Sequence, residues 1–293
     1  MNRACPLCGS QKSVLEISPE KQVDPVSVAE YWAGFLVEKT FFPFHRCVCG
    51  FLYCPRYPDE SELQRLYSSM SDNEHSGNPN LERITKEGYA KDVVAHSAHM
   101  PIRRVLEVGA DNGSLAKIIS KKLQIDEYHC VEPNKEVHDR LSEVSNVFIH
   151  ASLDDAIKAG GKFDAIIAVH VLDHIRNLDH TLDTIHRALR TGGLFYAVVH
   201  NEKSLLAKLL GRRWPAYCLQ HPHLFNKNNL PLVLRRSNYA KFEVRRTKNY
   251  FSFGYLFSHL VLALFRRKID FRHGFSLGLK LGNLALIGVK GDD

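Results

Sequence analysis

A chain of 293 residues with 44% hydrophobic and 24% charged residues can build one large or two modest domains around a sizeable core, and is too apolar to stay disordered. No charged-then-apolar leader opens it and no unbroken apolar run reaches ~18 residues, so neither a secretory signal nor a membrane-spanning helix is expected. Its seven cysteines lack the spacing of a disulfide framework and point to a reducing cytoplasm.

The net charge of +7 is uneven: residues 1–200 carry 22 Lys+Arg against 27 Asp+Glu, and residues 201–293 carry 17 against 5. The basic pairs Arg212-Arg213, Arg235-Arg236, Arg245-Arg246 and the triplet Arg266-Arg267-Lys268 supply that excess. Either they form a solvated face or they meet an anionic partner: nucleic acid, a phosphate-bearing substrate or a membrane surface.

In chain order, residues 1–55 form a cysteine module. Cys5-Pro6-Leu7-Cys8-Gly9 is a tight knuckle in which glycine permits the turn that lets both thiolates face one ion. Cys47-Val48-Cys49-Gly50 follows, with Cys54 nearby. Two thiolate pairs suit a tetrahedral zinc ion, and Cys5, Cys8, Cys47 and Cys49 are the preferred set. The second pair is a residue short of the usual knuckle, which leaves the fourth ligand open among Cys47, His45 and Cys54. Unrelated cysteines or a redox pair are the alternative, and Cys130 and Cys218 read as buried thiols.

Residues 56–100 read as a helical linker or lid, with a capped helix over 59–67, a polar loop over 68–80 and a second helix over 89–100. From 101 to 293 strand and helix alternate. Strands are expected near 103–108, 126–131, 146–150, 163–169 and 194–199, with helices near 113–123, 134–143 and 178–190. This alternation predicts an α/β fold with a doubly wound, mainly parallel sheet. A helix near 227–237 and strands near 241–248 and 284–289 follow. Between these strands, residues 255–265 are nearly all apolar: a core helix, a lid over the substrate, or an interfacial helix ending in Arg266-Arg267-Lys268.

Residues 104–113 are the most informative. A short apolar run, Val105 to Val108, carries Glu107, breaks at Gly109 and Gly113, and opens at once into a helical pattern. A strand, a glycine turn and a helix N-terminus bring backbone N–H groups and a carboxylate to one small ligand. About 25 residues on, a second strand ends in Glu132, an acid able to accept from ribose hydroxyls. A dinucleotide fingerprint needs a glycine where Asp111 stands, and an acid there opposes a pyrophosphate. S-adenosylmethionine carries no phosphate and is a sulfonium cation, so the extra acid is tolerable beside it.

The runs 105–113, Val131-Glu132-Pro133-Asn134, 163–174 and 189–199, in this order, resemble the successive motifs of class I S-adenosylmethionine-dependent methyltransferases, a likeness covering residues 85–290. It implies a Rossmann-like fold with a seven-stranded sheet. It also implies a cofactor site of Glu107, Gly109, Asp111, Gly113, Glu132, Ser152, Leu153 and His170. Glu107 and Gly109 would line the methionine portion, Glu132 would hold the ribose, and 151–154 would pass the adenine. The cysteine module before such a core resembles that of bacterial methyltransferases acting on sugars and polysaccharide precursors, where the zinc is structural.

Methyl transfer needs the nucleophile in line with the methyl and often a base for its proton. Candidates past the strand ends are His170, Asp173, His174, His200, Asn201 and the segment Gln220-His221-Pro222-His223. The resemblance puts His221 and His223 first. Gln220, standing where an acid often precedes the histidine, favours O- over C-methylation.

The reading is a cytoplasmic methyltransferase, at the inner face of the membrane if 250–268 makes peripheral contact. Its expected acceptor is a sugar hydroxyl of a nucleotide sugar or surface-polysaccharide precursor. An RNA methyltransferase is a less favoured rival, because no base-methylating motif follows the fourth strand. A scaffold of the same fold without activity is another.

Overall fold

The computed structural model describes residues 3–21, 31, 39–68, 79–98, 100–235, 238–267, 269, 271 and 274–292. Residues 69–78 of the loop expected over 68–80, Arg236, and Lys268 of the basic triplet lie outside the described residues, while Ser68 ends one helix and Pro79 and Asn80 begin another.

Thirteen strands are formed among the described residues: β1 (Ser13–Ile17), β2 (Phe44–Cys47), β3 (Leu52–Tyr53), β4 (Arg104–Val108), β5 (Glu127–Val131), β6 (Val147–His150), β7 (Phe163–Val169), β8 (Leu189–His200), β9 (His223–Leu224), β10 (Tyr239–Arg246), β11 (Asn249–Ser252), β12 (Ser276–Leu279) and β13 (Asn283–Lys290). Seven of them make one sheet in the order β10-β13-β8-β7-β4-β5-β6. The pairs β4–β5, β4–β7, β5–β6 and β7–β8 are parallel. Strand β13 runs antiparallel to both β8 and β10. Side chains along β4, β5 and β7, and along β8 from residue 193 to 199, are almost all buried, the pattern of strands covered on both faces. The α/β Rossmann-like fold with seven mainly parallel strands is therefore the architecture observed.

Helices differ more from expectation. The helix expected over 134–143 is a 3-10 turn, Lys135–Val137, followed by the single turn His138–Leu141. Likewise the helix expected over 227–237 is only the 3-10 turn Leu230–Leu234. Pro231 stands inside that expected helix; it has no N–H to donate to the carbonyl four residues back and its ring opposes a helix running through it. The helix expected from 89 begins at Pro79 and ends at His96, proline being well suited to a first turn. The helix Leu153–Gly160, unforeseen in the sequence, is capped by Ser152, whose hydroxyl accepts from Asp155 N at 3.2 Å.

The N-terminal residues form a four-stranded antiparallel sheet, β1-β2-β3-β9. Its last strand comes from beyond β8, with Leu52 opposite Leu224 and Tyr53 opposite His223. Phe51 packs on the rings of His223 and Phe225, each at 5.3 Å. Arg3 reinforces the junction, donating to the backbone carbonyls of Cys54, Arg176 and Pro222 at 2.8, 3.1 and 2.5 Å. The cysteine module is thus held against the carboxyl ends of the central strands.

The apolar 255–265 run lies in the helix Phe253–Phe265, between the antiparallel pair β11–β12. Phe257 and Phe265 on it are 44% and 67% exposed, so it is not a core helix. No helix among the described residues is long and apolar enough to cross a membrane.

Candidate functional site

The polypeptide leaving β4 turns at Gly109, whose φ of +71° favours glycine. A Cβ there would lie 2.6 Å from Val171 Cγ2, so the turn and the loop after β7 are in close contact. Gly109 N and Ala110 N both donate to Val131 O, at 2.9 and 3.3 Å. Asp111, at the unusual middle position, adopts φ +51°, a left-handed backbone that aspartate tolerates better than most residues. Its N–H donates to Glu132 Oε2 at 2.8 Å, and Asn134 N donates to Glu132 Oε1 at 2.9 Å. Each Glu132 oxygen therefore has one backbone partner and keeps acceptor capacity for a second. Gly113, with φ +73°, opens the helix Ser114–Lys122, and a Cβ there would meet Leu141 Cδ1 at 2.8 Å.

Beneath the turn Glu107 is 3% exposed and accepts from Tyr128 OH at 2.7 Å. Burial pushes its carboxyl up to about 7, against the pull of the Tyr128 hydrogen bond. A carboxyl raised in the fold holds its proton more tightly there than in the unfolded chain. Its stabilising contribution is complete below the ordinary value near 4.5 and is lost as pH rises through about 7, a change on the order of 3 kcal/mol. Urea unfolding at a series of pH values is expected to show this fall in wild type and not in Glu107→Gln; parallel curves would contradict it. Lys86, on the helix Pro79–His96, lies 3.9 Å from Asp111 Oδ2 and 2.7 Å from Glu82 Oε1. That helix therefore reaches the rim of the turn. Ser152 and Leu153 stand past the end of β6: Ser152 caps its helix, and Leu153 packs on the core.

Past β7 and β8 the structure gathers five polar side chains. His170, directly after β7, has φ +55°, and its Nε2 lies 3.3 Å from Asn283 Nδ2. Asp173 is fully buried and accepts through Oδ2 from His200 N at 2.9 Å and from His200 Nδ1. Although burial opposes it, the charge and hydrogen bond of His200 hold the Asp173 carboxyl well below its usual range. The His200 ring lies 4.6 Å from that of His170, 4.9 Å from His221 and 6.2 Å from Trp214. His221 Nδ1 is 2.7 Å from Ala216 O, and its Nε2 is 3.2 Å from His174 Nε2. Burial pulls His221 down, but the charge and hydrogen bond of Cys218 outweigh it and push the imidazole up to about 9. His170 is pulled down to about 3 by burial and by His200. Two buried atoms of the group, His170 Nδ1 and Asp173 Oδ1, have no protein partner.

His223 stands apart. Fully buried, it sits beside the rings of Phe51 and Phe225 with Nε2 2.7 Å from Leu172 O, and burial pulls it down to about 3. Sequence proximity to His221 does not bring it to the same place, because β9 pairing turns it toward the cysteine module.

Among the described residues the thiols of Cys5, Cys8, Cys47 and Cys49 lie within 4.8 Å of one another. Cys5–Cys49 and Cys8–Cys47 sulfur distances are 3.8 and 3.5 Å. A tetrahedron with Zn–S bonds of about 2.3 Å has edges of ~3.8 Å, so the four sulfurs fit one zinc ion. Gly9 and Gly50, at φ +74° and +85°, form the two knuckle turns. His45 and Cys54 are not in this group: His45 Nδ1 faces Ser13 Oγ at 3.5 Å, and Cys54 Sγ faces Phe42 O at 3.4 Å.

A family model described as a methyltransferase domain matches residues 59–244. Among curated proteins the chain is 29% identical over 119 residues to the ubiquinone biosynthesis O-methyltransferase of Agrobacterium fabrum, covering 39% of this chain and 47% of that one. It is 24% identical over 123 residues to the malonyl-[acyl-carrier protein] O-methyltransferase of Chlorobium phaeovibrioides, covering 38% and 47%. The matched stretch thus spans about half the length of these relatives. Among solved structures, a SAM-dependent methyltransferase from Archaeoglobus fulgidus is similar at TM-score 0.49 and 15% identity, over 79% of this chain and all of that one. The plantazolicin methyltransferase BpumL in complex with SAH is similar at 0.49 and 13%, over 80% and 91%.

Proposed function

The chain belongs to the family of methyltransferase domains, and on that premise we propose that it moves a methyl group from S-adenosylmethionine to a hydroxyl of a small molecule. The acceptor is a nucleotide-linked sugar or a surface-polysaccharide precursor. One observation carries the reading: Glu132, fixed by two backbone N–H groups, and the Asp173–His200 pair stand at the carboxyl ends of strands in one sheet. The contact between the Gly109 turn and Val171 links the two. Both curated relatives are named O-methyltransferases, which supports an oxygen nucleophile.

In this proposal Glu132 accepts from the ribose hydroxyls and Glu107 with Gly109 borders the methionine portion. Asp111 and Gly113 shape the turn, while Ser152, Leu153 and His170 close the remaining sides. S-adenosylmethionine, when bound, supplies an electrophilic sulfonium methyl. With Nδ1 engaged by Asp173, His200 Nε2 is the nitrogen that takes the acceptor's proton. His221, protonated at neutral pH at its raised value of about 9, supplies positive charge beside the base. His223 packs the module against the core. Radiolabelled S-adenosylmethionine offered with a panel of nucleotide sugars and with RNA tests this: label in a sugar supports it, and label in RNA alone overturns it.

A structural zinc ion on Cys5, Cys8, Cys47 and Cys49 completes the proposal, with residues 1–55 as its module, 56–100 as a lid and 101–293 as the catalytic domain. Zinc analysis is expected to give about one ion per chain in wild type and a marked loss in Cys8→Ser. A metal-free wild type that keeps its full melting temperature would contradict it. The proposed compartment is the cytoplasm, with 250–268 touching the inner membrane face.

A further inference from the structure

Four imidazoles crowd one buried carboxylate past the ends of β7 and β8. The rings of His170 and His221 lie 4.6 and 4.9 Å from that of His200, and the ring of His174 lies 4.6 Å from that of His221. A proton-accepting histidine needs one carboxylate to orient it. That role accounts for Asp173 and His200 but does not require His170 beside them. His170 is brought there from a left-handed backbone, φ +55°, a conformation unfavourable for a residue with a side chain.

One nitrogen of His170, one of His200 and one carboxylate oxygen of Asp173 lie within 4.8 Å of one another. A divalent first-row ion with bonds of about 2.0–2.2 Å holds its ligands ~3–4 Å apart, so side-chain shifts of about 1 Å or less gather the three around one ion. The unused donor capacity points the same way. Asp173 is fully buried, its Oδ2 is engaged by His200, and its Oδ1 has no partner among the described residues. His170 Nε2 faces Asn283 Nδ2 at 3.3 Å, and its other nitrogen, the buried Nδ1, has none either. Leaving a buried carboxylate oxygen unpaired is unfavourable, and a cation shared by these atoms relieves it. The His200 side chain is 26% exposed, which gives an ion a way in from solvent. The imidazole of His221, next to His200, has Cys218 as its counter-charge, so this pair does not oppose a second cation.

We propose that His170, Asp173 and His200 form a second metal site, separate from the cysteine cluster, for a divalent first-row transition ion. Two imidazoles with one carboxylate favour zinc, cobalt or nickel over magnesium or calcium, which prefer oxygen ligands alone. Three protein ligands leave coordination positions for water or for an oxygen of a small molecule. The site shares His200 with the methyltransferase reading, and rests on that reading for one consequence. A neutral imidazole has a single free lone pair, so whichever His200 nitrogen holds the ion, the other carries the hydrogen. An occupied site therefore has no base at His200, and ion binding and proton acceptance exclude each other there.

Cobalt(II) titrated into the full chain, brought beforehand to about one zinc per chain, tests the site by calorimetry and visible absorption. Wild type is expected to take up about one cobalt ion. Its visible ligand-field bands should appear without the near-ultraviolet sulfur-to-cobalt charge transfer that cysteine ligation gives. His170→Ala and Asp173→Asn should each bind roughly tenfold or more weakly, with zinc content and melting temperature showing that they fold. No cobalt uptake, uptake with sulfur charge transfer alone, or equal uptake by wild type and both variants would overturn the inference. The wild-type spectrum decides it even where a variant fails to fold. Labelled methyl transfer to a sugar should fall about tenfold or more once cobalt is bound; an unchanged or faster rate overturns the exclusion. S-adenosylmethionine titrated into the same samples separates the two claims. Cobalt uptake without S-adenosylmethionine binding defeats the methyltransferase reading and leaves the metal site, and the reverse result does the opposite.

Discussion

Glu132→Ala is expected to weaken S-adenosylmethionine binding by about 100-fold or more. Two hydroxyl-to-carboxylate hydrogen bonds would be lost, each worth about 1.5–3 kcal/mol when one partner is charged. The same change leaves the N–H groups of Asp111 and Asn134 without the acceptor that now orders the turn. The loop then pays to reorganise before ligand can bind. Glu132→Gln separates the two losses: its single amide oxygen can keep one N–H partner, so its affinity should fall between wild type and alanine. Equal affinity for the cofactor in all three proteins would remove Glu132 from the site.

The second large effect is expected in turnover. His200→Ala and Asp173→Asn should each lower kcat by about 10²–10⁴-fold, the usual range for loss of a positioned general base. S-adenosylmethionine affinity should change little, because neither residue touches the Glu132 end of the site. In the proposed mechanism Asp173 would position and not react: its Oδ2 holds Nδ1 of His200, and Nε2 would be the nitrogen left for the acceptor's proton. Asparagine keeps the shape but can turn its amide NH₂ toward Nδ1, which favours the wrong tautomer. A flatter pH–rate profile in Asp173→Asn, with the acceptor KM little changed, distinguishes this role from simple packing. Unaltered kcat in both variants would return the base to another residue.

Much of the central sheet was legible because buried parallel strands are short apolar runs punctuated by glycine. The runs 163–169 and 103–108 coincide with β7 and β4 to within a residue. The Gly109 turn and Glu132 were legible for a related reason: their spacing is local to one strand–turn–helix–strand unit. By contrast, β9 is two residues long and pairs with β3 from about 170 residues away. No local pattern announces such pairing, and it is this pairing that carries His223 away from His221. The Asp173–His200 pair was hidden in the same way, since it forms only where the ends of two adjacent strands meet. The helix Leu153–Gly160 did carry a signal, the Ser152–Asp155 capping box, which the expected adenine contact of 151–154 obscured. Asp111, standing where a dinucleotide fingerprint needs glycine, takes a left-handed backbone conformation in the turn.

In the proposed function this fold holds S-adenosylmethionine at the Gly109–Glu132 turn. Calorimetric titration of the purified, zinc-replete protein with S-adenosylmethionine and with S-adenosylhomocysteine tests it most directly. Saturable binding of both at micromolar concentration, weakened in Glu132→Ala, is the expected result. A folded wild-type protein that binds neither would contradict it and mark the chain as a scaffold of the methyltransferase fold.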